Sequence, residues 1–279
     1  MSHVQSVPED MSTTMPPSVL KDMSHEPSVP EDMSSAPAPH VPEDMSSAPA
    51  PHVPEDMYSA PTARLRTGVA DDLPAILAIK QRLRLQADAP GRGGFLLGTS
   101  PAQYARLIAH GRTQVLSCGG AVVGFAAALA DAELRASELW RRREQIDLGP
   151  RRALLDELER LPLAYLDQLA LLPEPGLAMF GVLLAYHALA ALFAEGCAVV
   201  VTTVVDEPVR NLASRPLLAA VAALQVGRIA EHYEGFGAIT SDVFIVPRAA
   251  LDPAAQTDPR RRARLLRLAA AAHSLTRAP

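Results

Sequence analysis

Residues 163–205 constrain this chain more than any other stretch. LAYLDQLALL (163–172) is an almost unbroken apolar run that ends at Pro173, and CAVVVTTVV (197–205) is a second, β-branched one. Between them a short loop at 174–176 opens an apolar helical stretch that ends at Ala194-Glu195-Gly196. Apolar runs of this length, bounded by Pro and Gly, read as strands covered on both faces. Strand, helix and strand in that order predict a parallel pair joined by a right-handed crossover. Gly181 and His187 interrupt the helix, so it reads as a buried helix rather than a membrane span.

The flanking segments extend this unit into a sheet. ARLRTGV, from Ala63, alternates like a strand. A helix follows, with Asp71 or Asp72 as its cap, Pro74 in its first turn, and Leu73, Ile76, Leu77, Ile79 and Leu83 at helical spacing. A second helix spans 101–110, capped by Ser100 or Thr99. TQVLS (113–117) and AVVGFAAALA (121–130) flank Cys118-Gly119-Gly120, the signature of a hairpin with a Gly-Gly turn. Residues 132–160 read as charged and helical, with a break at Gly149-Pro150. A helix over 211–223, antiparallel strands in ALQVGRIAEH and ITSDVFIVPR, and a basic amphipathic helix over 259–275 complete the pattern. The fold class is therefore α/β (α+β), with a mixed central sheet of about six to seven strands and flanking helices.

Residues 1–63 are of another kind. They hold 12 of the 25 prolines, 10 acids against one base, and a single aromatic, Tyr58. VPEDM begins at Val7, Val29, Val41 and Val53, with a decayed copy at Val19. One Val and one Met per unit cannot offset the entropy of ordering the chain, so this tail is expected to be disordered. A partner groove that takes several copies at once is the alternative reading. The division is then a repeat tail at 1–63, a folded domain at 64–248, and a basic helical extension at 249–279. Two cysteines, Cys118 and Cys197, in apolar or Gly-rich surroundings argue against a disulfide framework. The first residues carry no apolar stretch, and the expected compartment is the cytoplasm. The folded part is only mildly basic, which gives no clear case for nucleic acid. No Cys/His/acid spacing suggests a metal.

Four local sequences in order resemble the GNAT N-acetyltransferase superfamily. RLRTGVADDLPAILAI is similar to its first strand and helix, and GRTQVLSCGGAVVGFAAAL to its second and third strands. YLDQLALLP with the following turn and helix looks like its fourth strand and acyl-CoA loop, and VVDEPVRNLAS like the stretch before its last helix. The resemblance implies a fourth strand splayed from the fifth, with acetyl-CoA in the gap. The strand edge at Leu169, Ala170 and Leu171 would pair with the pantetheine arm. The loop and helix start at Gly176, Leu177, Ala178, Met179, Phe180 and Gly181 would hold the diphosphate, because N–H groups there lack helical partners and the dipole favours an anion. Gly176 and Met179 depart from the family's loop, which has Arg or Gln at the first position and Gly at the second. Leu218 stands where many members carry a Tyr that protonates the leaving thiolate.

The resemblance implies acyl-CoA-dependent acetyl transfer to an amine, on a small molecule or a peptide, by direct attack on the thioester. A catalytically degenerate binding module of the same fold is the competing reading, and homodimerisation stays open. Asp167 is either a base at the cleft or a strand-end carboxylate paired with a neighbour. Strand alternation puts it and Gln168 on opposite faces. Asn211 and Ser214 either touch the cofactor or cap a helix. Glu231, His232 and Tyr233 either line a substrate pocket, with Tyr233 as an alternative acid, or form a solvated loop. His187 reads as a packed histidine.

Overall fold

Gly119 and Gly120 both take positive φ, 57° and 84°, the conformation a two-residue hairpin turn requires. They join β2 (Thr113–Cys118) to β3 (Ala121–Ala130), as the sequence predicts. The computed structural model describes residues 63–85, 94–233 and 236–277. The VPEDM repeats, with the disorder expected of them, lie outside the described residues. On one side of the hairpin β1 (Ala63–Thr67) pairs with β2. On the other, β4 (Leu163–Leu171) pairs with β3. β5 (Val199–Glu207), β6 (Leu224–Tyr233) and β7 (Gly237–Pro247) complete a seven-stranded sheet in the order β1-β2-β3-β4-β5-β7-β6. Every neighbouring pair is antiparallel except β4 with β5.

Helices cover both faces. α1 (Leu73–Arg82) and α2 (Pro101–Ala109) pack on one side, where Ile76, Ile79, Tyr104 and Leu107 meet Val115, Phe125 and Ala170. The Tyr104 and Phe125 rings stand edge to face, 5.6 Å apart at 88°. Three short segments follow β3: α3 (Asp131–Ala136), α4 (Glu138–Arg141) and α5 (Ala153–Arg160). They replace the broken long helix that the charge pattern predicts. The crossover helix α6 (Ala178–Ala194) fills the other face, burying Leu184 and Leu189 against Leu116, Leu166 and Val200. α7 (Ser214–Ala220) seats Leu218 on Val204 and Phe244, and a single turn, α8 (Arg248–Leu251), follows β7. The basic helix α9 (Pro259–Arg277) packs on α6 and β1, with Ala272 in the core and Leu268 and Leu275 against it, and also buries Leu265. Arg248 closes the crossover by donating to the carbonyls of Phe193 (2.5 Å) and Cys197 (2.9 Å) at the end of α6.

Capping divides as sequence reasoning could not. Ser100 caps α2: its hydroxyl accepts from the Gln103 amide at 3.3 Å, and Gln103 Oε1 accepts from the Ser100 amide at 2.6 Å. Asp72 does not cap its own helix. Its carboxylate accepts from the Val69 amide (2.8 Å) and takes a two-pronged bond from Arg66 (2.6 and 2.7 Å). The Arg66 hydrogen bonds hold the Asp72 carboxyl below its ordinary range.

A charged cluster ties α7 to the sheet. Asp206 of β5 and Asp242 of β7 are buried, with side chains 2% exposed. Arg215 reaches both at 2.7 Å, Arg228 both at 2.6 and 3.0 Å, and Arg210 reaches Asp206 at 2.8 Å. Removing Asp242 leaves Arg215 and Arg228 paired with Asp206 alone, their side chains 34% and 49% exposed. Asp242→Ala is expected to cost about 1–2 kcal/mol in urea unfolding, the size of lost charge-assisted hydrogen bonds whose cationic partners are partly solvated. A loss under about 0.5 kcal/mol, the size of an ordinary surface change, would show that the cluster pins nothing.

Candidate active site

The parallel pairing of β4 with β5 covers only Leu163↔Val199, Ala164↔Val200 and Tyr165↔Val201. Beyond Tyr165 the strands part, and β4 pairs with β3 alone as far as Leu171. Two local features accompany the parting. The Thr202 hydroxyl donates to the Leu166 carbonyl at 2.8 Å, occupying an acceptor at the point where the ladder stops. The β3–β4 register also slips, with Ala127 opposite Gln168 and Ala128 opposite Leu166. Asp167 is therefore the extra residue of a β-bulge, which bends the strand and re-aims its side chains.

The bulge corrects the alternation expected for Asp167 and Gln168. Both side chains reach the same residue, Thr99. The Thr99 hydroxyl donates to Asp167 Oδ2 at 2.7 Å and accepts from Gln168 Nε2 at 3.0 Å. Gln168 also donates to the Leu97 carbonyl at 2.7 Å and accepts from the Tyr104 hydroxyl. Thr99 holds φ at 45°, an uncommon conformation for a β-branched residue that the surroundings must enforce. The Lys80 ammonium supplies part of that enforcement by donating to the carbonyls of Gly98 and Thr99. Gly98, at φ 65°, lies under the Tyr233 ring: a Cβ there would sit 3.2 Å from Tyr233 Cε1.

The opening holds two adjoining spaces. The larger, about 630 Å³, runs between the β4 edge at 169–172, the loop at 94–96, and α6 and α7. Leu169, Ala170, Leu171, Ala178, Gly181, Asn211 and Ser214 line it. The remaining loop residues sit elsewhere. Leu177 is buried in the core, Phe180 packs against that core, Gly176 is exposed at φ 84°, and Met179 is 69% exposed and outside the cavity lining. The main-chain N–H groups of Gly176, Ala178 and Met179 have no backbone acceptor among the described residues, whereas those of Leu177 and Phe180 are bonded. Gly181 lets α6 approach α7, since a Cβ there would lie 3.2 Å from Leu217 Cδ2. Arg82 and Arg84, at and just beyond the end of α1, stand at the mouth beside Pro173 and Glu174. Arg82 contacts Glu174 at 3.2 Å, with both side chains about half exposed.

Asn211 and Ser214 do not cap α7, which starts at Ser214 with no side-chain cap. Asn211 Nδ2 donates to the Phe95 carbonyl at 3.2 Å, and its buried Oδ1 has no partner among the described residues. Asn211 lines both spaces, but its unpartnered Oδ1 is itself closed off from the cleft.

The smaller space, about 110 Å³, lies beyond the end of the parallel pairing and is lined by Tyr165, Asp167, Gln168, Thr203, Tyr233 and Ser241, among others. The Tyr165 hydroxyl bonds Thr203 Oγ1 at 2.7 Å. Glu231 and Tyr233 belong to strand β6, not to a loop, and point to the face that Ser241 shares, while His232 is exposed. Glu231 is paired with Arg142 at 2.8 Å and accepts weakly from Ser241 at 3.4 Å. Burial pushes the Asp167 carboxyl above its ordinary range, while the Thr99 hydroxyl and the Lys80 ammonium pull it back. Burial likewise raises Glu231, with Arg142 opposing, and holds the Tyr233 phenol up at about 12, with the Glu231 and Asp167 charges adding to the effect. His187 is far from this chemistry: its Nε2 faces Gln114 Oε1 at 3.1 Å, and burial lowers its pKa.

Thr99→Val removes a hydrogen bond that favours the Asp167 carboxylate, so the carboxyl pKa rises further. If activity needs the carboxylate, the acidic limb of the kcat/KM profile moves to higher pH in Thr99→Val and stays in place in Thr99→Ser. Equal profiles in all three proteins would separate Asp167 from the titration.

Sequence reasoning missed Thr99, Tyr165, Arg82 and Arg84. The basic run Lys80, Arg82, Arg84 at a helix end was the available signal for the last two. No helix among the described residues is long and apolar enough to cross a membrane, and no group of three or more metal-ligating side chains occurs among them.

No family model and no curated protein matches the chain. Solved structures do. One is a ribosomal-protein-S18-alanine N-acetyltransferase from Escherichia coli, at 18% identity and TM-score 0.43, covering 66% of this chain and 93% of that one. A ribosomal-protein-alanine N-acetyltransferase from Brucella melitensis is similar at 16% identity and TM-score 0.44, covering 66% and 98%. N-acetylglutamate synthase from Neisseria gonorrhoeae, solved with coenzyme A and N-acetylglutamate, is similar at 16% identity and TM-score 0.39, over 66% of this chain and 35% of that one. The strand order, the one parallel pairing and the opening between β4 and β5 give this chain a mixed-sheet, GNAT-like fold.

Proposed function

We propose that the chain is a divergent GNAT acyltransferase that moves an acetyl group from acetyl-CoA to an amine. The parting of β4 from β5 carries this reading, because it leaves a strand edge, a cavity and a helix start facing one another. The donor set suits acetyl-CoA. The β4 edge at 169–171, left without a partner on the β5 side, matches the amides of a pantetheine arm. The unbonded amides of Gly176, Ala178 and Met179, with Arg82 and Arg84 at the mouth, match a diphosphate. These arginines supply the charge that Gly176 lacks, and Met179 lies outside the cavity.

Asp167 is the candidate base. An ammonium gives one proton to its carboxylate, and the free amine nitrogen then attacks the thioester carbonyl carbon. The C–N bond forms, the C–S bond breaks, and the amine's second proton ends on the departing sulfur. Asp167 returns its proton to solvent. Tyr233 stays protonated to about pH 12, which makes it a hydrogen-bond donor to the leaving sulfur in place of the tyrosine replaced by Leu218. Thiol release from acetyl-CoA, followed across a panel of primary amines, tests the reading. Amine-dependent release with an equal yield of amide supports it. Tight binding of acetyl-CoA with no amine turned over would favour the degenerate module.

A further inference from the structure

A third space, of about 40 Å³, lies between the sheet and the short helices α3–α5. Trp140, Leu155 and Leu158 line it from the helices, and Val201, Thr203 and Ile245 from the sheet. Its lining surface is apolar, so water finds no partners in it, and its volume matches roughly three water-sized groups. Thr203 also lines the smaller chamber of the candidate active site. Its hydroxyl is held at 2.7 Å by that of Tyr165, which is itself buried at the last rung of the β4–β5 pairing. The two side chains therefore stand between the chamber and the apolar cavity. A donor whose diphosphate lies over 176–179 and whose arm follows β4 from Leu171 to Leu169 points its thioester at Asp167 and the closed end of the opening. An acyl chain that continues this line runs into Tyr165 and Thr203.

We propose that Thr203, clasped by Tyr165, is the chain-length stop of the donor site: it confines the transferred group to a short acyl chain by closing the chamber off from the apolar cavity beside Trp140. This rests on the acyltransferase reading and adds a specificity-determining residue to it. At about 110 Å³ the chamber must hold both the acyl group and the attacking amine, which leaves room for little beyond acetyl. Removing the stop joins the two spaces. A longer chain then gains burial that the parent denies it, at about fourfold in affinity per buried methylene.

Calorimetry with acetyl-CoA and hexanoyl-CoA on the full chain tests this without an amine. In the parent, hexanoyl-CoA is expected to bind no tighter than acetyl-CoA. In Thr203→Ala the ratio of the two affinities should move toward hexanoyl-CoA by about 15-fold or more, the worth of two buried methylenes. Trp140, the single tryptophan of the chain, reports where the acyl chain goes. Its emission should respond to hexanoyl-CoA in Thr203→Ala and not in the parent. Tyr165→Phe keeps the ring, removes only the clasp, and should show a smaller gain in the same direction should Thr203→Ala fail to fold. Hexanoyl-CoA bound more tightly than acetyl-CoA by the parent, an unchanged ratio in the variants, or a gain that leaves Trp140 emission unmoved overturns the proposal and leaves the donor site standing. No binding of either donor by the parent removes the proposal together with the reading beneath it.

Discussion

Asp167→Asn is expected to lower kcat for amine acetylation by about 10²–10³-fold while leaving the Kd for acetyl-CoA unchanged. The amide keeps the size of the side chain and can still accept from Thr99, which donates to Oδ2 at 2.7 Å, so the bulge should survive. What disappears is the group that takes the ammonium proton. Asp167 meets the geometric demand on a base: it lines the chamber, and its position is fixed from the second side by the Gln168–Thr99 bond. It also has a basicity raised by burial, which improves proton abstraction once the carboxylate is formed. Activity within about threefold of the parent would assign proton removal to solvent, since a positioned base contributes far more than that.

Ala178→Glu gives the largest expected effect on donor binding. Ala178 is exposed, opens α6 and lines the larger cavity. A carboxylate at the first turn of a helix favours the fold by about 0.3–1 kcal/mol, so the variant should melt no lower than the parent. The same charge would stand where the diphosphate is expected. Two like charges a few ångströms apart near a protein surface repel by a few kcal/mol, and solvent screening reduces this to a loss of about 30-fold or more in acetyl-CoA affinity. Thermal melting and calorimetry together separate the outcomes. A preserved fold with unchanged affinity would move the diphosphate away from this helix.

The frame of the protein was legible because its pattern is strong. The runs at 163–172 and 197–205 are long and bounded by Pro173 and Gly196, and they form the single parallel pair of the sheet. The Gly119-Gly120 turn needs positive φ at both positions, and few other residue pairs supply it. The site was less legible, because its decisive features are irregularities. A bulge at Asp167 leaves no mark on hydropathy, yet it puts two adjacent side chains onto one threonine. Thr99 reads in sequence as a helix cap, a role that Ser100 takes, and its left-handed backbone depends on Lys80, 19 residues away. Asn211 precedes a helix and so predicts a cap. Tertiary packing instead directs its amide to Phe95, 116 residues away in sequence. The arginines of the cavity mouth come from the end of α1, so inspection of the loop at 174–181 alone could not reveal them.

A crystal structure with coenzyme A tests the central claim most directly. The account predicts β4 and β5 separated beyond Tyr165, the pantetheine arm along Leu169–Leu171, and the diphosphate over the amides of Gly176, Ala178 and Met179. Coenzyme A bound elsewhere on the chain, or β4 and β5 hydrogen-bonded along their whole length, would contradict it.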